Sequence, residues 1–508
     1  MHSCLRMPEV AGMVCDFLRT SQAFASLASL AQSCRVLQEP ALDALWAEQD
    51  TLLNLIQCLP LDLWAVNVDF TPNITLLARN LCSSDLPCLL YYAAKIKRLI
   101  YIRYEEDLLA IEVGQPMVQM ICDAIGSPLL PKLQDLTWVS DDDSYFRVFM
   151  SLCGHSLKKL VLSLDGAATV RLSSLAAVAR WPSLNSFEIR HTSTCPALAP
   201  AISKILCHIQ GIRKLVIPAL PQDAFEALAS LPSLRTLALG NLYHDFTPPP
   251  KPIDGFVSLQ SLNVNVPGAT DAVRIIQSLK SSCVRSLGLT LSIIPNPSGY
   301  LEMIGAVQDV FPVDRLAGLR VSVTSRSVRP ADCFIPATAI ELLLPYDSMY
   351  GVILTGMNIE LNDSLLLRMA EAWPNMRTLH LGQRDLPSSN PPAVTLLGLR
   401  HLAKLCRRLT SLSIEFESTG IEAMAKMRPG EGVSEASLIT LHVGQSPSPN
   451  PELTASFLSD IFPSLEILSW SINMARPTRD KWVQVNQLLG WFGTIRQQER
   501  AFREESNA

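Results

Sequence analysis

Two histidines, His380 and His442, sit at equivalent places in two strand-like runs, Leu379-His-Leu381 and Leu441-His-Val443. Imidazoles placed this way could share a metal ion or pass a proton if the backbone brought them close enough. Two registered strands apart, at ~4.8 Å per strand, they would be roughly 10 Å from each other. That is too far for one ion, so the pair reads as part of a polar recognition stripe. Cys82 and Cys88 lack nearby histidines, which argues against a zinc site. Asp141-Asp-Asp-Ser144 is too compact for a calcium loop and has neither the glycine nor the terminal glutamate at the required offsets. No P-loop, G-x-G-x-x-G, H-E-x-x-H or C-x-x-C occurs. Nothing in the spacing assembles a Ser–His–Asp triad from the 8 histidines and many serines. No catalytic, cofactor-binding or metal-ligating residue is assigned, and the expectation is a non-catalytic protein without a cofactor.

Composition narrows the classes further. Apolar residues make up 48% and charged residues 18% of the 508, the balance of a chain that buries an extensive core. A net charge of −5 gives no support for a nucleic-acid binder. No run approaches the ~18 apolar residues of a membrane span. The longest candidate, Leu52 to Leu61, is interrupted by Asn54 and Gln57 and bounded by Asp50 and Asp62. Glu9 and Asp16 break any secretory leader, so the sequons at Asn73 and Asn362 read as chance. The odd count of 13 cysteines then fits reduced, mostly buried thiols in the cytoplasm or nucleus.

The elements that must position any site are repeats. Four segments share one pattern: Trp181-Pro-Ser-Leu-Asn-Ser-Phe-Glu-Ile189, Leu231-Pro-Ser-Leu-Arg-Thr-Leu-Ala-Leu239, Trp373-Pro-Asn-Met-Arg-Thr-Leu-His-Leu381 and Phe462-Pro-Ser-Leu-Glu-Ile-Leu-Ser-Trp470. The proline stops a preceding helix, and L-x-x-L-x-L then alternates as a short strand with one buried face. Looser copies begin at Leu133, Leu157, Ile212, Leu259, Val284, Leu316, Leu409 and Leu438, with degenerate ones at Ile96 and at Ile340-Glu-Leu-Leu-Leu344. Between them lie amphipathic stretches, each following an aspartate suited to capping a helix, Asp223 or Asp363. Cys153 and Cys406 stand where such helices end and read as core filler.

A strand-plus-helix unit recurring roughly every 30 residues resembles the leucine-rich repeat family. That resemblance implies an α/β solenoid with a curved parallel sheet inside and helices outside, over about residues 95–475. The family's asparagine after the last strand leucine is missing: Leu242 and Arg384 occupy its place, with Asp141 and Asp165 near it elsewhere. Irregular, helix-rich repeats are therefore expected. With the leucines inward, the concave stripe would carry Glu188, Asn263, Arg320, His380, Ser413 and His442 as target-binding residues. Proline-rich segments at Thr247–Pro252, Pro295–Ser298, Pro387–Pro392 and Ser446–Pro451 would share one rim, as recognition loops or plain spacers. Trp482, Val485, Leu488, Leu489 and Phe492 predict a C-terminal capping helix within 476–508.

Residues 1–50 differ from the repeats. A helix starting near Pro8, a second ending near Cys34-Arg35 and a third ending at Leu45-Trp46 would make a compact three-helix unit, followed by a helical linker over 51–94. Pro8-Glu9 after an apolar position, Leu27, Leu30, Ala31, Cys34-Arg35 and Leu45-Trp46 together resemble an F-box. The style of Pro40-Ala-Leu-Asp-Ala-Leu-Trp46 is similar to the F-box proteins abundant in mushroom-forming fungi. The departures are Met7 in place of leucine and Cys15-Asp16 where larger residues are usual. The resemblance implies docking on a Skp-type adaptor and a cullin complex through Met7, Pro8, Val10, Val14, Leu18, Leu27, Leu30, Leu45 and Trp46. It also implies that the solenoid presents an unknown protein target for ubiquitination, with no nucleic acid or membrane involved. The alternative is a non-ligase leucine-rich scaffold whose first helices only cap the array.

Overall fold

The computed structural model describes residues 7–67, 73–76, 79, 81–102, 112–113, 115–126, 128–139, 145–164, 181–191, 211–220, 222–242, 255–279, 283–324, 334–382, 392–418, 421 and 437–507. The segments at 141–144, 247–252 and 387–391, and Asp165 and Arg384, lie outside them. The chain is α/β, and most of its described strands pair in parallel. It divides into two compact units, Met1–Leu234 and Arg235–Ala508.

The first unit begins with α1 (Pro8–Thr20), α2 (Phe24–Ser33) and α3 (Arg35–Trp46). Proline at the first position of α1 costs no hydrogen bond, because that amide would have had no partner. Cys15, Leu27, Ala41 and Ala44 form the core of the three helices, with Leu18, Leu30, Ala31 and Leu45 packed against it. The parallel strands follow as β1 (Glu48–Gln49), β2 (Arg98–Ile102), β3 (Asp135–Val139), β4 (Lys159–Leu164), β5 (Ser186–His191) and β6 (Lys214–Leu220). The sheet thus starts at Glu48, directly after α3, well before the boundary near 95 read from the repeats: Glu48 and Gln49 register with Arg98 and Leu99. Helices α4 (Leu53–Ile56), α5 (Pro87–Ala93), α6 (Gln115–Ile125), α7 (Tyr145–Leu152) and α8 (Gln222–Ala229) lie between or after these strands. Leu99, Leu136, Leu160, Phe187 and Leu215 form one buried row across β2–β6.

The second unit continues the pattern with β7 (Thr236–Leu242), β8 (Ser261–Val266), β9 (Ser286–Leu291), β10 (Gly318–Val323), β11 (Gly351–Thr355), β12 (Thr378–Gly382), β13 (Ser411–Ser413), β14 (Thr440–His442) and β15 (Ile467–Ser469). Its helices are α9 (Ala269–Ser278), α10 (Pro297–Val310), α11 (Ala337–Glu341), α12 (Asp363–Ala372), α13 (Leu396–Leu405), α14 (Pro451–Ile461) and α15 (Arg476–Asn507). As the prolines required, α12 ends at Ala372 before Trp373-Pro374 and α14 at Ile461 before Phe462-Pro463.

Three expectations are corrected here. Ile340–Leu344 is not a repeat strand: Ile340 is buried in α11, and the strand of that repeat is β11, where Val352 and Leu354 take the inward positions. Its leading residues, Met349-Tyr350-Gly351, lack the leucines that mark the other copies. Asp363 does not cap its helix: Asn362 accepts from the Leu365 amide at 2.9 Å, and Asp363 instead accepts from Thr395 N at 2.8 Å and Thr395 Oγ1 at 2.6 Å. Asn296 and Asn450 cap α10 and α14 likewise, so side-chain caps recur just before the helices. Finally, Ser446–Pro451 is no free loop, since Ser446, Ser448 and Pro451 are buried. No described helix is long and apolar enough to cross a membrane.

Candidate functional site

Helix α1 is apolar on two sides. Ala11, Cys15 and Leu18 turn toward the three-helix core. Val10, Met13, Val14 and Phe17, spaced at three or four residues, form a second stripe. Met13 is 72% and Phe17 69% exposed. Met7 at the N-cap and Phe24 at the start of α2 are exposed as well. A surface helix with apolar side chains this open on its outer face is suited to a partner's apolar groove.

The residues expected to contact an adaptor therefore separate. Met7, Pro8 and Val14 are exposed and Val10 is half-buried. Leu18, Leu30 and Leu45 are half-buried against the core. Leu27, expected on the docking surface, has 0% exposure and is corrected to a core residue. Trp46 stacks on Tyr92 of α5 with ring centroids 4.4 Å apart, which occupies one of its faces. Met13 and Phe17 were not among the expected residues, although helical spacing alone marks them as part of the exposed stripe: each is three residues beyond an exposed or half-buried apolar position.

The join behind this surface is polar and tight. Lys95 donates to Glu39 Oε2 at 2.7 Å and to Asp43 Oδ1 at 2.6 Å, and its ammonium lies 4.5 Å from the centre of the Tyr91 ring. Tyr91 donates its hydroxyl to Glu39 as well. Burial works against the Lys95 charge, yet the hydrogen bonds to Asp43 and Glu39 outweigh it and raise its pKa above the usual lysine value. The hydrogen bond from Lys95, then that from Tyr91, lowers the Glu39 carboxyl below its ordinary value. Ala47 O accepts from both Lys97 N and Arg98 N at 2.9 Å, so no free linker separates α3 from the sheet.

In the second unit the outward row registers as Ala238, Asn263, Gly288, Arg320, Ile353, His380, Ser413, His442 and Ser469. His380 and His442 are two registered strands apart, on either side of Ser413. Asn263 and Arg320 are exposed; the side chain of Asn263 lies across Gly288, where a Cβ would meet its Oδ1 at 2.0 Å. Ser413 is 4% exposed and is corrected to a buried position. Ile353 joins the row because its repeat was hidden. In the first unit Glu188 registers with Val161 and Val216, but Arg190 at 2.7 Å and Lys214 at 3.9 Å already engage its carboxylate.

His380 Nε2 and Ser411 Oγ are 2.8 Å apart, a Ser–His pair that sequence spacing does not announce. Ser411 N donates to Arg377 O within the ladder, so that amide is not available to stabilise an oxyanion. The contact positions the imidazole. His442 Nδ1 accepts from Gly444 N at 3.2 Å. Glu415, just beyond β13, accepts from Gln445 N at 2.9 Å; burial raises its pKa and that hydrogen bond partly opposes the shift.

In the first unit a cavity of about 340 Å³ is lined by Cys122, Asp123, Met150, Cys153, His155 and Trp181, among others. Burial, and then the neighbouring Asp123, pushes the Cys122 thiol up to about 11, and burial alone pushes Cys153 higher still, which keeps both protonated at neutral pH. Among the described residues no group of three or more His, Cys, Asp or Glu could hold a metal ion. No protein-family model matches the chain, and no curated protein matches it.

Proposed function

We propose that this protein is the substrate-recognition subunit of an SCF-type ubiquitin ligase. Residues of α1–α3 dock as an F-box on the Skp-type adaptor, and the parallel-sheet array, read as leucine-rich repeats, binds a protein target. The cullin complex supplies the ubiquitin chemistry, so the chain itself needs no catalytic residue. The observation that carries this reading is the stripe on α1 in which Met13, Val14 and Phe17 are open to solvent and Val10 is half-buried, on a helix whose other side is already packed. An array end needs only an apolar inner side and a polar outer one, and this outer side carries exposed Met13, Val14 and Phe17.

A cap role is a second reading, favoured by the direct pairing of β1 with β2, which makes the three helices continuous with the sheet. The two roles are compatible. The deciding experiment is co-purification of the full chain with a Skp-type adaptor. Met13→Asp with Phe17→Asp is expected to weaken adaptor binding at least about tenfold, by removing two exposed anchors and placing charge in an apolar groove, while circular dichroism and melting stay unchanged. Leu30 is a poor target for this test because it supports the module's own core. An adaptor that ignores the unmodified chain would reject the ligase reading.

A further inference from the structure

The first unit carries a cationic strip at the edge where its strands begin. Three of its repeats place two basic residues between the leading apolar positions: Ile96-Lys-Arg-Leu99, Leu157-Lys-Lys-Leu160 and Ile212-Arg-Lys-Leu215. Backbone bonds fix the first residue of each pair in one row: Gln134 N to Lys97 O, Lys158 N to Gln134 O, Asn185 N to Lys158 O and Arg213 N to Asn185 O, at 2.7–2.9 Å. The second residues register as Arg98, Asp135, Lys159, Ser186 and Lys214.

The strip is little neutralised. Lys97, Lys158, Arg213 and Lys214 are exposed, and Arg98 and Lys159 are half-buried. Among the described residues, the acids that face the strip are Glu48, 3.8 Å from Arg98, Glu188, 3.9 Å from Lys214, and Asp135 within the row. Lys158 donates to the neutral Gln134 side chain at 3.0 Å. In a chain whose net charge is −5, this concentration of positive charge is local.

The spacing is as informative as the sign. Basic pairs fall on β2, β4 and β6, while β3 and β5 carry Gln134-Asp135 and Asn185-Ser186. Alternate strands are roughly 9.6 Å apart, and three residues of an extended chain span about 10 Å. A nucleic-acid strand carries charge at every step and would gain most from an unbroken cationic row, which this is not.

We propose that the strip over β2–β6 binds an extended acidic segment of the target protein, with a carboxylate at every third residue. The inference rests on the reading of the array as a target-binding surface, and it names the chemistry of what binds. The first residues of each pair reach the segment from the edge, and the second residues reach it from the outward face. Such contacts weaken with salt, because the screening length falls from about 10 Å at 0.1 M to about 3 Å at 1 M.

The test is fluorescence anisotropy on the full chain at low salt. Three labelled probes are used: a peptide with glutamate at every third position, an isomer with the same glutamates clustered at one end, and a single-stranded RNA of equal charge. The spaced peptide is expected to bind tightest. Lys158→Gln with Lys159→Gln should weaken it about tenfold, and arginine at both positions should restore it. Equal affinity for the two peptides, or a glutamine variant within about twofold of the unmodified chain, would overturn the proposal. So would RNA binding that is tighter than the spaced peptide and lost in the same variant. Adaptor co-purification on the same samples separates the two claims: adaptor bound without peptide rejects only the acidic segment, and no adaptor bound by the unmodified chain rejects the ligase reading.

Discussion

The Glu415 carboxylate lies over Gly444, where a Cβ would come within 2.4 Å of Glu415 Cγ, and Gly444 itself has φ +57°. A larger residue at 444 would meet both the side chain above it and a backbone conformation that costs L-residues energy. The carboxylate accepts one backbone amide, and no described cation pairs with it. Burial therefore lifts its pKa above the ordinary 4.5. A raised folded-state pKa means that the native chain holds this proton more tightly than the unfolded chain does. Stability linked to Glu415 is full below the unfolded pKa and is lost as pH rises through the folded one. Glu415→Gln keeps an acceptor for Gln445 N and removes the ionisation. Its melting temperature is expected to exceed that of the unmodified chain at pH 8, with the gap closing toward pH 4.5. A gap that stays constant across calorimetric scans over that range would show that Glu415 ionises without cost.

At the scale of elements, α15 and the segment before α14 make one assembly. Trp482 is fully buried, donates its indole N–H to Ser446 O at 2.8 Å and meets Phe416 edge-on at 6.0 Å. Ser446 Oγ donates to Val443 O at 2.6 Å and accepts from Phe416 N at 2.9 Å, while Ser418 Oγ donates to Pro447 O at 2.6 Å. Prolines and serines read as solvent loop because their composition is that of turns, yet here the Ser418, Ser446 and Ser448 hydroxyls each find a partner. The helix itself was legible: Trp482 and Val485, three residues apart, are its buried face. Trp482→Ala removes that volume and strands the Ser446 carbonyl. A loss of about 3–5 kcal/mol is expected in denaturant unfolding of the second unit. A loss below about 1 kcal/mol would mean that α15 packs without depending on this residue.

Across the whole molecule, the alternation of leucines gave the strand register, because a shift of one residue would turn every leucine outward. Equivalent positions such as His380 and His442 are legible in the sequence for that reason. Ser413 could not be separated from them, since its place in the strand is the same and only its burial differs. The join at α3 was invisible in another way. Glu39 and Asp43 lie more than fifty residues from Tyr91 and Lys95, and no local pattern links the two pairs. Yet they decide whether the three helices move as a bead on a string or as the first layer of the array. With Trp46 stacked on Tyr92 and β1 paired to β2, the second case holds within the first unit. In a linear array, stability passes between neighbouring repeats, so loosening the first layer should be felt in the next. Lys95→Ala with Trp46→Ala is therefore expected to speed hydrogen exchange of the Leu99 and Ile100 amides about tenfold or more, the equivalent of ~1.4 kcal/mol. Exchange at Leu441, in the second unit, serves as the internal reference and should not change. If Leu99 and Ile100 exchange at their original rates while α1–α3 open, the module is an independent bead, and its orientation relative to a bound target is not set by this join.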